Sequence, residues 1–576
     1  NIVLLETDTR SSFTYEVNAD HLHDGEVKPG AKLSLSGQSG RFDYLISGET
    51  EPRWANRKGF ESSFLANGTK NDTVSRRTIT DQQPTTMSSN IGYQFSENDV
   101  AHLNFQYNQN DAPEELDRVI TDYLTSPPTI KSQFEDISNE SDFWELGGDY
   151  EHTFRGGNRW RGLFIINQKK DDRTRERFDL NDSNQKDIFL KTFNQYEEEI
   201  FRTSYSMDLS ERQDLEFGIE RAKTTLESTL RLGLASQGAP SSEFGNLVPS
   251  NTSNAVVEET RHEVFAIHNW RLSDRMSLES TIIYEESTIR QTGDISKERD
   301  FSFIRPKVDY RFDITPSLQL RATIEKDVAQ LSFNDFTANI PPIGDDDQNT
   351  FAGNPDIRQE QSWRYDLNLE YRFNEDNGVI NTNLYYQDLE DLIDRIDVST
   401  PTAIQSANGN IGDGKRHGGS IDSSYRLSSF NLPQLLFTAR VELVEGSATD
   451  PYLNIERPLQ RQGKGNYRYG FRYDLSSQNI SYGLNFSGTF DGNQLVYDID
   501  KVEDYYMDDF IMAFLEIQGW GGLIYRFEAT NPHEQYRCRI RTRYVGGTIA
   551  TGRLNETEDS CSHTGEKYAI KIRGTF

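Results

Sequence analysis

Arg537, Arg539, Arg541 and Arg543 stand at every second position, alternating with Tyr536, Cys538, Ile540, Thr542 and Tyr544. In an extended chain alternate residues share a face, so four guanidinium groups would line one side of one strand. Such a stripe could guide an anionic ligand inward, or it could be a solvated wall that balances acidic loops. Cys538 lies inside this ladder, and Cys561 is the only other cysteine of the chain. Asp345, Asp346 and Asp347 are consecutive carboxylates, and Lys169, Lys170, Asp171, Asp172 and Arg173 form a mixed charged run. Both are read as solvated loops, because three adjacent Asp side chains hold a divalent cation only with further ligands. His262 and His268 sit six apart in one segment, as ordinary strand positions do. No G-x-S-x-G, H-E-x-x-H, P-loop or metal-spaced cysteine pair occurs. No catalytic residue, metal centre or cofactor is therefore expected, and the chain is read as a protein that is not an enzyme.

The elements that would position these residues are strands. Trp363, Tyr365, Leu367, Leu369, Tyr371 and Phe373 alternate with Arg364, Asp366, Asn368, Glu370 and Arg372. The same alternation recurs in Tyr467, Tyr469, Phe471, Tyr473 and Leu475 against Arg468, Gly470, Arg472 and Asp474, and in Val308, Tyr310 and Phe312 against Lys307, Asp309 and Arg311. A dry sandwich core does not solvate so many successive ionised positions, whereas a wet or plugged lumen does. Composition points the same way. The formal charge is −31, which excludes a general nucleic-acid binder. Mean hydropathy is −0.74, which excludes a bundle of membrane helices. Yet 27 Tyr and 33 Phe are too many aromatics for a disordered acidic chain. A transmembrane β-barrel, with one residue to lipid and the next to the lumen, satisfies both.

Very short links alternate with long ones. The short links are Ser39-Gly40, Ser96 to Asp99, Arg155 to Asn158, Ser210 to Gln213, Ser273 to Arg275, Thr315-Pro316, Asn374 to Gly378, the Pro433 region, Ser476 to Asn479 and Gly519 to Gly522. The longer ones fall near 21–30, 53–84, 108–142, 168–196, 224–260, 289–300, 327–360, 388–416, 445–466, 489–508 and 530–566. Ten and eleven connections join 22 strands. Short turns on one side and long loops on the other mark an outer-membrane barrel whose short side is periplasmic, with Phe576 on that rim. Tyr365, Leu367, Leu369, Tyr467, Tyr469, Phe471, Ile570 and Ile572 should then face lipid. Arg364, Asp366, Glu370, Arg468, Arg472, Lys571 and Arg573 should face inward.

The last hairpin predicts a disulfide. Antiparallel pairing keeps the sum of partner numbers constant, and Leu523 with Phe576 has the same sum as Cys538 with Cys561. A strand starting near Leu523 and pairing with one that ends at Phe576 would set the cysteines opposite each other, if no bulge near Pro532 shifts the register. The oxidising periplasm favours the bridge, which would remove unfolded-state entropy equivalent to about 3 kcal/mol.

Three motifs carry a family resemblance. Lys567 to Phe576 is an alternating strand closed by a terminal Phe, similar to the assembly signal of outer-membrane proteins. Phe351-Ala352-Gly353-Asn354-Pro355-Asp356-Ile357-Arg358-Gln359-Glu360 resembles the "GNPDLKPE" segment of TonB-dependent receptors, with Ile357 and Gln359 replacing the usual Leu and Pro. Tyr385 to Ile393 resembles the family's next strand, and Asn408 to Gly418 its following "N-x-G-x-x-x-x-x-G" stretch. Ala529-Thr530-Asn531-Pro532 stands where the family usually has an Asn-Leu pair, a departure at that position.

The resemblance implies a transporter barrel whose outer loops capture a scarce solute, such as a siderophore, vitamin or oligosaccharide. A plug would be displaced through TonB by the proton gradient, with outer-membrane lipid and lipopolysaccharide around the wall and no nucleic acid as partner. Asn1-Ile2-Val3-Leu4 resembles the "VNIV" strand that ends a plug, so residues 1–12 are expected to be a linker and 13–576 the barrel. The plug itself is absent from this sequence, and the expectation is a cleaved chain rather than a natural plugless pore. A passive diffusion channel and a structural or adhesive surface barrel are the alternatives.

Overall fold

A computed structural model describes residues 10–337, 352–373, 377–401, 404–490 and 494–576. Antiparallel strands close into a barrel of 22. The first, Arg10–Leu22, pairs with Val27–Ser39 on one side and with the last, Lys567–Thr575, on the other, where Thr14 faces Thr575. The terminal residue extends that seam: Phe576 and Phe13 exchange N–H to C=O bonds of 2.9 and 3.0 Å. Phe576 therefore lies at the rim that carries the short turns.

The alternation sorts the two faces. Tyr365, Leu367, Leu369, Tyr469 and Ile570 are exposed on the outside. Tyr467 is partly covered by the rings of Tyr469, Phe486 and Phe490 on that same face. On the inner face Arg472 bonds Glu516 at 2.7 Å, Glu516 also holds Arg526, and Glu528 binds both Arg526 and Lys571. Charges that share one parity thus neutralise one another along the lumen wall, and the rings of the other parity form the outer belt.

Eight of the ten short turns fall at the expected places. The Pro433 turn is displaced: the chain reverses at Ser428–Phe430 and Asn431, whose φ of 61° is left-handed, and Pro433 already belongs to the strand Leu432–Thr449. Part of the turn from Asn374 to Gly378 lies outside the described residues. The first described strand is Arg10–Leu22.

The long connections differ more. Between residues 21 and 30 there is only a tight turn, closed by the Leu22 N–H on the Glu26 carbonyl at 3.0 Å. Elsewhere the strands simply continue. Thr129–Thr153, Arg159–Asp179, Gln185–Ser210, Gln213–Leu234 and Val248–Ser273 run 25, 21, 26, 22 and 26 residues. About ten residues suffice to cross a bilayer, so these neighbours rise as a tall wall. Lys169 to Arg173 is part of that wall and not a loop, with Lys169 on Asp171 at 2.7 Å and Lys191 on Asp172 at 3.2 Å. Outside an apolar belt both faces of a strand can be polar, so the hydropathy alternation fades while the backbone ladder persists.

On the opposite side the barrel strands are short, 7 residues in Ile524–Thr530 and 9 in Phe510–Gln518. There the loops build an upper sheet, joined to the tall wall where Glu114–Asp122 pairs with Thr129–Thr153. Gln494–Tyr497, Lys501–Met507, Gln535–Val545, Arg553–Thr564, Arg53–Leu65, Lys70–Gln82 and Glu114–Asp122 pair in that spatial order. This upper sheet bridges the seam between the first and last barrel strands.

In vesicles of a phospholipid bilayer, Leu367→Arg should cost about 2–4 kcal/mol of folding stability, while Asn368→Arg, one residue along and inward, should cost little. Equilibrium refolding in urea measures both, and equal costs would overturn the assignment of faces.

Candidate functional site

The arginine ladder lies on the inner face of the upper sheet. Its register brings Glu503, Glu556, Glu558 and Glu61 from neighbouring strands to the same face. Arg539 reaches Glu61 at 3.1 Å, Glu558 at 3.2 Å and Glu503 at 3.4 Å. Arg541, only 1% exposed, binds Glu558 and, at 3.8 Å, Glu503. Arg543 binds Glu556. Three of the four predicted residues are thus held by carboxylates, as buried charge requires. Arg537, at the end of the ladder, is exposed.

Cys538 and Cys561 sit on the other face, directly opposed and joined by a disulfide with a Cα–Cα distance of 4.1 Å. The register reasoning behind this pair needs correction, however. In the barrel Ile524 opposes Arg573 and Thr530 opposes Lys567, two positions away from an alignment of Leu523 with Phe576. A bulge restores the difference: Asn531, Pro532, His533 and Glu534 lie against only Gly565 and Glu566. Asn531 has a φ of 44° and its side chain braces the bulge, accepting from Ile511 N–H at 3.1 Å and donating to Gln535 at 2.8 Å.

Beside the ladder is a cavity of about 610 Å³. Arg57, Arg76, Arg461, Arg537 and Arg539 line it, together with Tyr505 and Tyr506. Only two of the predicted four arginines are therefore cavity residues. Sequence reasoning missed Arg57, Arg76 and Arg461, because their meeting depends on pairings between loops far apart in the chain.

A second construction closes over the mouth from the tall wall. Leu331, Phe333, Phe336 and Ile357 pack on Leu226, Val257 and Ile289 of the long strands. Ile357 is 0% exposed. The segment 352–360 is tied to 406–412 by side-chain amides. Asn354 donates to the Asn408 carbonyl at 2.9 Å, and Asn408 donates to Asp335 at 2.7 Å. Asn410 accepts from Arg358 N–H at 2.8 Å and donates to the Arg358 carbonyl at 2.9 Å. Glu360 accepts from Ile393 N–H at 3.1 Å. Gly353 is pressed against the Phe336 carbonyl and leaves no room for a Cβ. Burial pushes the carboxyls of Asp335 and Glu360 above their ordinary range.

The remaining candidates do not converge. His262 and His268 are positions of Val248–Ser273, and His268 lies 3.1 Å from Gln213. Asp345, Asp346 and Asp347 lie outside the described residues. Among the described residues no group of His, Cys, Asp or Glu is arranged to hold a metal ion.

A wide closed barrel with a charged lumen, a tall loop rim and segments folded back over its mouth defines the class of receptor barrels. The chain belongs to the family described as TonB dependent receptor-like, beta-barrel, whose model matches residues 88–507. Solved structures show the same fold. A copper transporter, OprC, is similar with a TM-score of 0.67 at 11% identity over 99% of this chain and 83% of its own. The ferric citrate transporter FecA gives 0.65 at 11% identity over 98% and 79%. The FrpB iron transporter from Neisseria meningitidis gives 0.60 at 12% over 99% and 82%. No curated protein matches the chain in sequence.

Two outcomes follow from this geometry. Arg541→Ala removes one of the two arginines that Glu503 and Glu558 share, leaving them to Arg539 alone, and should cost about 1.5–3 kcal/mol, whereas Arg537→Ala should be nearly neutral; limited proteolysis of the hairpin with a denaturant series compares them. The second concerns pH. For Asp335 and Glu360 the folded pKa lies above the unfolded value, so stability is gained as pH falls through the folded pKa and is complete below the unfolded one. Asp356, held low chiefly by its hydrogen bond from Lys297, stays ionised in that window. Hydrogen-exchange protection of 352–360, corrected for intrinsic rates, should therefore rise as the pH is lowered from neutrality toward the ordinary carboxylate range, and a fall would contradict the assignment.

Proposed function

We propose that this protein carries out TonB-dependent active transport of a scarce solute across the outer membrane of a Gram-negative bacterium. The observation that carries this reading is the mouth. The segments 329–337, 352–360, 391–401 and 404–412 fold inward onto the tall wall and lock to one another through Asn354, Asn408 and Asn410. A barrel meant for free diffusion gains nothing from such a vestibule, while a receptor gains a rigid frame for loops that select a ligand. Membership of the receptor family and the folds of copper and iron transporters support it.

In this reading the short-turn rim is periplasmic, the outer belt meets membrane lipid and lipopolysaccharide, and the upper sheet is extracellular. A 22-stranded lumen is wide enough that something must fill it. A plug domain joined ahead of the barrel through residues 1–12 would do so and would carry the contact to TonB. No bond is made or broken in the solute. The work is capture by the loops, release as the plug moves, and passage along a lumen whose charges are already paired. A siderophore, vitamin or oligosaccharide meets this description.

Uptake of the solute by whole cells, measured with and without TonB and with the proton gradient collapsed, tests the proposal. Loss of uptake in both conditions is expected. Undiminished uptake without TonB would move the protein to the passive channels.

A further inference from the structure

The cavity of the upper sheet holds arginines of two kinds. Arg76 is bound to Glu61 at 3.2 Å and also donates to Ser560, and Arg539 is shared among three glutamates. These two are engaged by carboxylates within the protein. Arg57, Arg461 and Arg537 differ: no hydrogen bond or ion pair engages their side chains among the described residues. The Arg57 Nε is buried with no partner at all. In a chain of charge −31, three such guanidinium groups meet around one cavity.

The sheet register explains how they meet. Arg537 faces Ser562, which faces Gly59, and Arg57 lies two residues along on the same face as Gly59. Gly59 is needed there because a Cβ would stand 2.9 Å from Arg76 Cγ, so its absence lets Arg76 lie across the floor. Arg461 comes from a different loop. Its backbone is held at a φ of 55°, in the left-handed region, by its N–H on the Leu495 carbonyl at 2.8 Å. A non-glycine residue held in that conformation is a feature found at ligand clamps. Among the described residues Glu114 is the one carboxylate of the lining, so set against these three arginines it leaves a surplus of two positive charges. Leu116, Val496, Met507, Tyr505 and Tyr506 supply an apolar and aromatic side.

We infer that Arg57, Arg461 and Arg537 form the binding site for a dianionic organic solute with an apolar or aromatic body, bound through two carboxylate or phosphate groups. This rests on the transport reading only in taking the site as the place where the transported solute is first held. Binding itself needs no TonB. Guanidinium is suited to it, because its planar fork matches carboxylate and phosphate oxygens two at a time.

The test uses the full-length receptor purified in detergent and titrated calorimetrically with isophthalate, an aromatic dianion. Benzoate, with the same ring and one charge, is the control. Isophthalate should bind at least about tenfold more tightly than benzoate. Arg57→Gln, Arg461→Gln and Arg537→Gln should each weaken it by about tenfold, the scale of one charge-assisted hydrogen bond. Arg311→Gln, at the short-turn rim, should leave it unchanged. If Arg57→Gln disturbs folding, judged by loss of heat-modifiable gel mobility, the exposed Arg461 and Arg537 still decide the matter. Equal affinity for the two probes, no binding of isophthalate at millimolar concentration, or full binding in the folded Arg461→Gln/Arg537→Gln double variant would each overturn the site. TonB-independent uptake together with arginine-dependent isophthalate binding would overturn the transport reading and leave the site standing. TonB-dependent uptake with isophthalate binding unchanged in the double variant would do the reverse.

Discussion

Every backbone N–H and C=O of a strand surrounded by lipid must find its partner in another strand, because no water is present to replace it. That requirement makes the contact between Arg10–Leu22 and Lys567–Thr575 the bond on which the rest depends. Without it two edges would face the bilayer. With it the wall is continuous, strand polarity alternates, and all turns and loops sort to opposite rims. The seam also allows the short strands near the C-terminus. Ile524–Thr530 has 7 residues, but both of its neighbours are in register, so no group is left open.

Above the belt the constraint changes from backbone to charge. Arg541 and Glu558 are 1% and 3% exposed, and a buried ion without its counterion is expensive. The upper sheet meets this by register: Arg541 stands between Glu503 and Glu558, and Arg543 opposite Glu556. Where the pairing stops, at Arg57, Arg461 and Arg537, the protein leaves cationic surface facing a cavity. The same rule that stabilises the hairpins thus marks out where they end and a binding surface begins.

Much of the barrel was legible in the sequence, for a physical reason. Lipid on one side and water on the other enforce alternation, which makes segments such as Trp363 to Phe373 plain, and tight turns need Gly, Asn, Asp, Ser or Pro. Where lipid ends, that signal ends. The parts of Arg159–Asp179 and Gln185–Ser210 that lie within 168–196 read as a loop, although the two strands pair along their length with one register shift between Arg177 and Phe178. The cysteine pair is instructive in a different way. Its partners were legible, but the barrel register used to find them was off by two residues, and only the bulge at Asn531 to Glu534 brings the cysteines opposite. Of the cavity, Arg537 and Arg539 were visible as a repeating pattern. Arg57 and Arg461 were not, since no local pattern tells which distant loop a strand will meet.

The upper sheet has a mechanical consequence for closure. Arg553–Thr564 pairs with Arg53–Leu65, so the final hairpin is zipped to the first long one directly above the seam. A slip of two residues between the terminal barrel strands would keep every side chain on its proper face and would pass unnoticed by the lipid. It would not pass above. Ser560 would leave Glu61, Arg539 would lose one of its carboxylates, and the disulfide hairpin, braced across Cys538 and Cys561, could not stretch to compensate. The hairpins therefore act as a vernier on the seam, reading a displacement that the membrane-facing pattern is blind to and admitting a single shear of the barrel.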